Sequence, residues 1–215
     1  MAKIPQSVDA ASFWQAFATS QGLSGQQRDL FERYEKLLSF WSKRVNLTAI
    51  MGILDIVEYH FKDSLAFKQI VDPKSVSTIV DVGSGAGFPG IPLAIAYPHL
   101  KVTLIEVNAK KIQFLDTVIS ELGLGDRVEI FDQDWRSFLR IPNDQETVFC
   151  ARASLQPEEL CRIFKPGSSY RTGALVYWAT SGWEPSEKVA PFVAREVSYQ
   201  VGDRERKLVL LKRSE

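Results

Sequence analysis

The run Asp81-Val82-Gly83-Ser84-Gly85-Ala86-Gly87-Phe88-Pro89-Gly90 holds the densest chemical potential in the chain. Glycines let a backbone turn tightly and approach a ligand without Cβ clashes. The β-branched stretch Thr78–Val82 precedes the loop and a helix-forming stretch follows it. Ligands of open α/β sheets bind beyond the carboxyl ends of strands, so a cofactor belongs at this loop. A dinucleotide loop requires G-x-G-x-x-G, so that a pyrophosphate rests on the helix N-terminus. Here the third glycine would fall on Phe88, and the spacing through Gly83, Gly85 and Gly87 is G-x-G-x-G. That spacing argues against a nicotinamide-dependent oxidoreductase. A nucleoside-triphosphate loop needs Gly-Lys followed by Ser or Thr, which does not occur. The loop therefore suits a cofactor without a diphosphate, such as S-adenosylmethionine. Asp81, at the strand's end, is placed to face the ammonium of such a molecule directly or through water. Glu106 ends the next strand, twenty-three residues beyond Gly83. An acid there accepts hydrogen bonds from both ribose hydroxyls. Asp132, Asp134, Trp135 and Arg136 follow the third strand and would flank an adenine.

These residues need elements to hold them. Strands are expected at 78–82, 102–105, 128–131, 147–151 and 174–178, with helices at about 90–96 and 109–122 between the first three. Glu196–Tyr199 and Leu208–Leu211, separated by a short turn, read as an antiparallel hairpin at the sheet's end. Alternation of strands and helices implies an α/β fold: a doubly wound, mostly parallel, seven-stranded sheet covered on both faces. The first seventy residues read helical. Ser24 and Gln27 form a capping-box pattern, after which Leu30, Tyr34, Leu37, Leu38, Trp41 and Val45 recur at helical spacing. Shorter amphipathic stretches run from Phe13 to Phe17 and from Ile53 to Ile70. Asp72-Pro73-Lys74-Ser75 is the expected boundary, because proline biases its predecessor away from helix. The expected division is a helical extension over residues 1–72 and a cofactor-binding domain over 73–215.

Bulk composition narrows the class. The chain has 215 residues, 45% hydrophobic and 24% charged, with 26 basic and 26 acidic side chains. Such a chain buries a core without disulfides or metal. Zero net charge neither advertises nor excludes nucleic-acid binding, which depends on local patches. Cys150 and Cys161 lack redox or zinc spacing and read as buried free thiols. Two histidines and two scattered cysteines give no usable metal-ligand pattern, so no metal is expected. His99 follows Pro98 in a polar turn and reads as solvated. Residues 1–10 lack a signal-peptide apolar core, and the longest apolar run, around Ile91–Tyr97, is too short to span a bilayer. A soluble cytoplasmic protein is the expectation.

Several of these segments resemble one family closely. Asn46-Leu47-Thr48-Ala49, His60-Phe61-Lys62-Asp63-Ser64-Leu65 and the extended loop Asp81 to Leu93 are similar to successive signatures of the glucose-inhibited division protein B family. Val102-Thr103-Leu104-Ile105-Glu106 and Lys110-Lys111-Ile112-Gln113-Phe114-Leu115 continue the match, which is strong from about Phe31 to Leu124. The resemblance implies a Rossmann-like, S-adenosylmethionine-dependent methyltransferase that modifies N7 of a guanine in small-subunit (16S) ribosomal RNA. It implies cofactor contacts at Asp81, Gly83, Gly85, Gly87, Phe88 and Glu106, and substrate-side roles for Asn46 and His60. Trp135 and Arg136 stand as cofactor contacts by their place after the third strand, where Asp134-Trp135-Arg136 replaces the family's Arg-Ala pair. From periodicity alone, His60 is a helix-packing or capping residue. The resemblance further implies an arginine after the fourth strand, near cofactor and substrate. Arg152 is its counterpart, whereas an alignment anchored on Ala153-Ser154-Leu155 puts Cys150 there. The family's Lys-Gly pair at the end of the fifth strand is replaced by Ala179-Thr180. These departures keep open a binding module for nucleotide or RNA that has lost catalysis.

Guanine N7 carries a free lone pair and no proton, so its methylation needs alignment of nucleophile, methyl and sulfur rather than a general base. No catalytic residue is singled out on that basis. A phosphate-binding rim could draw on Lys43, Arg44, Lys62, Lys68, Lys74, Lys110, Lys111, Arg204, Arg206 and Lys207. Taken singly, each also reads as an ordinary solvated charge. Trp41 beside Lys43, Arg44 and Asn46 suits an unstacked base, although its place on the apolar helix face favours core packing.

Overall fold

The computed structural model describes residues 9–213. The signal-peptide reading rests mainly on residues 1–8, outside the described residues. Helix α1 (Ala10–Gln21) starts where the Asp9 carboxylate accepts the Ser12 N–H at 2.8 Å and ends at Gly22, whose φ of 71° is left-handed. The expected stretch from Phe13 to Phe17 is the buried middle of this helix. Helix α2 (Gly25–Ser42) begins with the capping box read from the sequence, Ser24 and Gln27 each bonding the other's backbone N–H. The Gln27 amide also donates to the Ile95 and Ala96 carbonyls, fastening the start of α2 to a later helix end.

The stretch from Ile53 is helical as expected, but not uniformly. Helix α3 (Ile53–Ile56) runs into a π-helical stretch, Val57–Lys62, then α4 (Asp63–Leu65) and a 3-10 turn, Ala66–Gln69. A π segment shifts the angular position of every later side chain and recurs at functional sites. Here it carries Tyr59 and His60 and delivers Asp63. At the expected boundary, Asp72 caps a 3-10 turn over Pro73–Ser75.

The sheet has seven strands: β1 (Thr78–Val82), β2 (Lys101–Ile105), β3 (Val128–Phe131), β4 (Thr147–Arg152), β5 (Ala174–Thr180), β6 (Val193–Val201) and β7 (Arg204–Lys212). Their order is β3-β2-β1-β4-β5-β7-β6, parallel from β3 to β5, with β7 antiparallel to both its neighbours. Helix α5 (Gly90–Ala96) follows β1 and α6 (Ala109–Glu121) follows β2, both close to expectation. The segment after β3, read as a loop, instead turns into a short helix, α7 (Trp135–Phe138), because the Asp134 carboxylate caps the Arg136 and Ser137 amides. Between β4 and β5 lie only α8 (Pro157–Leu160) and a 3-10 turn. Strand β6 is longer than the expected 196–199. It is an edge strand, and its mostly exposed side chains give little apolar alternation to read.

The pleat sends alternate residues to two cores. Ile79, Val102, Leu104, Cys150 and Val176 face α1, α2, α5, α6 and the segment around residues 56–70. Val80, Val82, Phe149, Ala151 and Leu175 face α7, α8 and the turns after them. The N-terminal helices thus share one continuous core with the sheet. Trp41 packs edge-on against Phe114 at 5.9 Å, consistent with core packing of its ring. Both cysteines are buried free thiols. His99 is more than a solvated ring: its Nε2 lies 3.0 Å from the Pro73 carbonyl.

Helix α5 sits close on β1 and β2 because Gly90 has no side chain. A Cβ there would lie 2.4 Å from Leu104 Cδ2 and 2.9 Å from Asp81 Oδ2. Gly90→Ala should cost about 1–3 kcal/mol of stability through overpacking, measured by urea unfolding. An unchanged midpoint would mean that α5 can lift without penalty.

Candidate active site

Two adjoining cavities open at the carboxyl end of the parallel strands. The first, about 500 Å³, is lined by Val82, Gly83, Glu106, Val107, Lys111, Asp134, Trp135, Arg136, Ser154 and Glu159, among others. The second, about 290 Å³, is lined by Thr48, Ile50, Tyr59, His60, Gly83, Gly85, Phe88, Lys111, Arg152, Arg204 and Arg206, among others. Gly83, Lys111 and Ala153 line both. The glycine loop is therefore the sill between them. Ala153 has a φ of 54°, the one non-glycine residue with positive φ among those described. Such backbone strain concentrates at functional sites.

The loop's shape follows from its hydrogen bonds. Gly83, Gly85 and Gly87 all have positive φ. At Gly83 a Cβ would lie 2.6 Å from the Ser154 Cβ, so a side chain there would strike the protein's own wall. Glu106 is buried, and its Oε2 accepts the Gly85 N–H while Oε1 accepts the Val107 and Asn108 N–H groups, each at 2.9 Å. A carboxylate has about four acceptor positions, so Glu106 keeps one for a ligand while bracing the loop.

Asp81 lies beneath the loop and lines neither cavity. It is fully buried, with Oδ2 accepting the Gly90 N–H at 2.9 Å and Oδ1 unpartnered. Burial raises its pKa to about 7, against the lowering effect of the Gly90 N–H. Asn46 is exposed and outside both linings, although its neighbours Leu47 and Thr48 line the second cavity. Gly87 is packed against Ile91 and Tyr34, away from both. Trp135 is buried, donating from Nε1 to the Glu159 carbonyl, and Arg136 forms a two-pronged pair with the Glu159 carboxylate. Asp132 is exposed and lines neither cavity.

The second cavity is built around Arg152. Its NH1 donates to the Asp63 carboxylate at 2.8 Å and the Tyr59 carbonyl at 3.1 Å, and its NH2 lies 2.8 Å from His60 Nδ1. The guanidinium also sits 5.0 Å from the Phe88 ring centre. The His60 ring stacks on Phe88 at 4.4 Å and 12°, and its Nε2 is 2.8 Å from the Thr48 hydroxyl. Burial first, and the Arg152 charge second, push the His60 pKa down to about 3, so the ring is neutral. Cys150, the alternative to Arg152, is fully buried in β4 opposite Asp81 and lines neither cavity.

Much of this wall was not singled out from the sequence. Thr48 and Asp63 lay inside motifs without a stated role, and Tyr59 lay just ahead of one. Asp63 is 1% exposed and also accepts from the Tyr199 hydroxyl at 2.5 Å. Ser154, whose buried hydroxyl is unpartnered, entered only as part of an alignment anchor, with no role attached. Of the expected rim, Lys111, Arg204 and Arg206 reach the cavities. Lys62 pairs with Glu58, and Lys207 is turned away to Glu196 and the Trp183 carbonyl. Among the described residues, no group of three or more His, Cys, Asp or Glu is arranged to hold a metal.

The fold is that of the Rossmann-like methyltransferases. The mitomycin 7-O-methyltransferase MmcR superposes with a TM-score of 0.56 at 17% identity, over 96% of this chain and 74% of that one. The delta-N METTL16 MTase domain gives 0.56 at 11% identity, over 86% and 97%. The chain belongs to the family described as rRNA small subunit methyltransferase G, whose model matches residues 27–183. Relatives named ribosomal RNA small subunit methyltransferase G include proteins from Geobacillus kaustophilus, 36% identical over 73% of this chain and 67% of that protein, and Listeria innocua, 41% identical over 69% and 64%. That of Staphylococcus epidermidis is 44% identical over 52% of this chain, which spans about half of the relative, 46%.

Two outcomes follow from the buried charges. The folded Asp81 carboxyl keeps its proton to about pH 7, whereas an unfolded one releases it near 3.8, so stability falls as pH rises through that window. His60 has the opposite sign: the unfolded ring takes a proton below 6.5, the folded one only near 3, and stability falls as pH drops between them. Asp81→Asn removes the first effect and keeps the second. Urea unfolding should show this variant gaining on the parent protein as pH rises from about 4 to 7; a constant gap would mean Asp81 is ionised throughout. Arg152→Ala takes the nearest cation from the buried Asp63 carboxylate, leaving it the Tyr199 hydroxyl and Arg206 at 4.0 Å, and should cost about 3–5 kcal/mol. Arg152→Lys keeps the charge without the fork and should lose less. An alanine variant as stable as the parent would show that Tyr199 and Arg206 alone suffice to hold the Asp63 carboxylate.

Proposed function

We propose that this chain transfers a methyl group from S-adenosylmethionine to N7 of a guanine in small-subunit ribosomal RNA. The observation that carries the reading is the pair of confluent cavities sharing Gly83, Lys111 and Ala153, in a chain of this family. One cavity suits the adenosine moiety and the other the methyl-transfer centre. Volumes of 500 and 290 Å³ lie in or near the range of about 300–1,000 Å³ for small-molecule sites.

The donor sets fit the molecule. The first cavity mixes acids and bases: Glu106 has one spare acceptor position for a ribose hydroxyl, and the buried Ser154 hydroxyl lacks a partner of its own. Val107, an exposed apolar residue, and the buried Trp135 supply apolar surface for an adenine. Arg136 and Glu159 close that wall as an ion pair. The second cavity is lined by Lys111, Arg152, Arg204 and Arg206, and among the described residues no carboxylate lines it. That charge suits the methionine carboxylate on one side and an RNA phosphate on the other. Asp81 acts from beneath, holding the Gly90 amide and with it the loop.

S-adenosylmethionine, when bound, supplies an electrophilic methyl on a sulfonium. The residues need only align the purine and exclude water. His60 is locked between Arg152, Thr48 and Phe88 and stays neutral, so it orients and stacks rather than abstracts a proton. That agrees with N7 having no proton to lose. Asn46, exposed at the start of the same loop, contacts substrate from the rim. The helices over 1–72 and the sheet domain over 73–215 form the two sides of the RNA-binding cleft. The compartment is the cytoplasm, the partner is ribosomal RNA alone or in a particle, and no metal takes part.

Calorimetry with S-adenosylmethionine and with NAD, followed by methyl transfer to small-subunit ribosomal RNA and mass mapping of the product, tests the reading. S-adenosylmethionine alone should bind, and one guanine should gain a methyl at N7. Binding without transfer would support a module that has lost catalysis; binding of NAD would overturn the cofactor.

A further inference from the structure

The second cavity contains a hydroxyl whose direction is fixed. An arginine guanidinium only donates hydrogen bonds, so at 2.8 Å from the Arg152 NH2 the His60 Nδ1 must accept. In a neutral ring the proton then sits on Nε2, which donates to the Thr48 Oγ1 at 2.8 Å. The Ile50 N–H donates to the same oxygen at 3.0 Å. A hydroxyl oxygen has two lone pairs, and both are taken. All that is left to Thr48 is to donate. Among the described residues its proton has no acceptor, and Thr48 lines the cavity.

We propose that Thr48 is a specificity-determining residue, an obligate donor that reads the O6 carbonyl of the target guanine. The inference rests on the guanine-N7 reading above. N7 and the six-position substituent lie side by side on one edge of a purine, a carbonyl acceptor in guanine and an amino donor in adenine. A base that presents N7 to the methyl therefore brings that substituent alongside. A free hydroxyl would discriminate poorly, because it could rotate and accept from an amine. With both lone pairs occupied, Thr48 meets an adenine amine donor to donor and leaves both unsatisfied. Asp63 and Arg152 are positioning residues for this donor: Asp63 holds Arg152, and Arg152 sets the His60 tautomer.

The test measures single-turnover methylation of small-subunit ribosomal RNA carrying either guanine or 2-aminopurine at the methylated position. 2-Aminopurine keeps N7 and the 2-amino group and lacks O6. The parent protein should prefer guanine at least about tenfold, as a site built to bond a polar group rejects an analogue lacking it. Thr48→Val fills the same space without a hydroxyl and should bring the two rates close together. Thr48→Ser keeps the hydroxyl and should restore the preference, which a merely structural defect would not do. A guanine preference unchanged in a folded Thr48→Val that still methylates overturns the assignment while leaving the methyltransferase reading intact. A Thr48→Val that fails to fold shifts the test to Thr48→Ser, where loss of preference in a folded, active protein overturns the assignment. No methylation of guanine by the parent protein overturns both.

Discussion

Arg152 holds the site together. Its guanidinium reaches from the end of β4 to Asp63, the Tyr59 carbonyl and His60 on the helical segment that crosses the sheet. Its side chain is only 11% exposed and that of Asp63 1%. Such a pair is weak evidence for net stability, since desolvation consumes much of the attraction, but breaking it leaves a buried charge uncompensated. The pair therefore acts chiefly as a registry device. It ties the helical segment around residues 59–63 to the carboxyl end of β4, and both sides of that tie line the second cavity.

Charge is divided between the two cavities in a way that the neutral whole conceals. Acids and bases alternate around the first, whereas cations dominate the second. Net charge averages over the molecule; binding depends on what a few side chains present to one volume. Lys111, shared by both cavities and 3.9 Å from Glu106, lies where the two regimes meet.

The parallel strands and the glycine loop were legible because both are local. A β-branched run ending in Gly-x-Gly-x-Gly specifies strand and turn within ten residues, and β1 and β3 fall where the pattern puts them. The capping box of α2 was legible for the same reason. What was not legible depends on distant partners. Asp63, Tyr199 and Arg152 lie far apart in the chain and meet only in the fold. The π segment has no local signature, yet it decides which way Tyr59 and His60 point. Asp81 shows the converse. Its position at the end of a strand suggested a ligand contact, direct or through water; what only the fold reveals is that one carboxyl oxygen accepts the Gly90 amide beneath the loop. The family was legible through short motifs, and side chains from them, Thr48, His60 and Phe88 among them, meet around one cavity.

The reversed strand has a consequence for how the molecule is made. In the sheet order, β7 lies between β5 and β6, although it is synthesised after both. During translation β6 emerges with no neighbour to pair with, since its only partner is still to come. When β7 arrives it pairs with β6 across a two-residue turn, and the hairpin must then dock through β7 on the β5 edge, the longer-range and slower of the two pairings. It also carries Arg204 and Arg206, so two of the four cations that line the second cavity are missing until that step. Until then the nascent chain has an unpaired β5 edge, a hazard for association, and an incomplete site. Competence to bind an anion there is thus coupled to completion of the sheet, and a partly made chain cannot acquire it early.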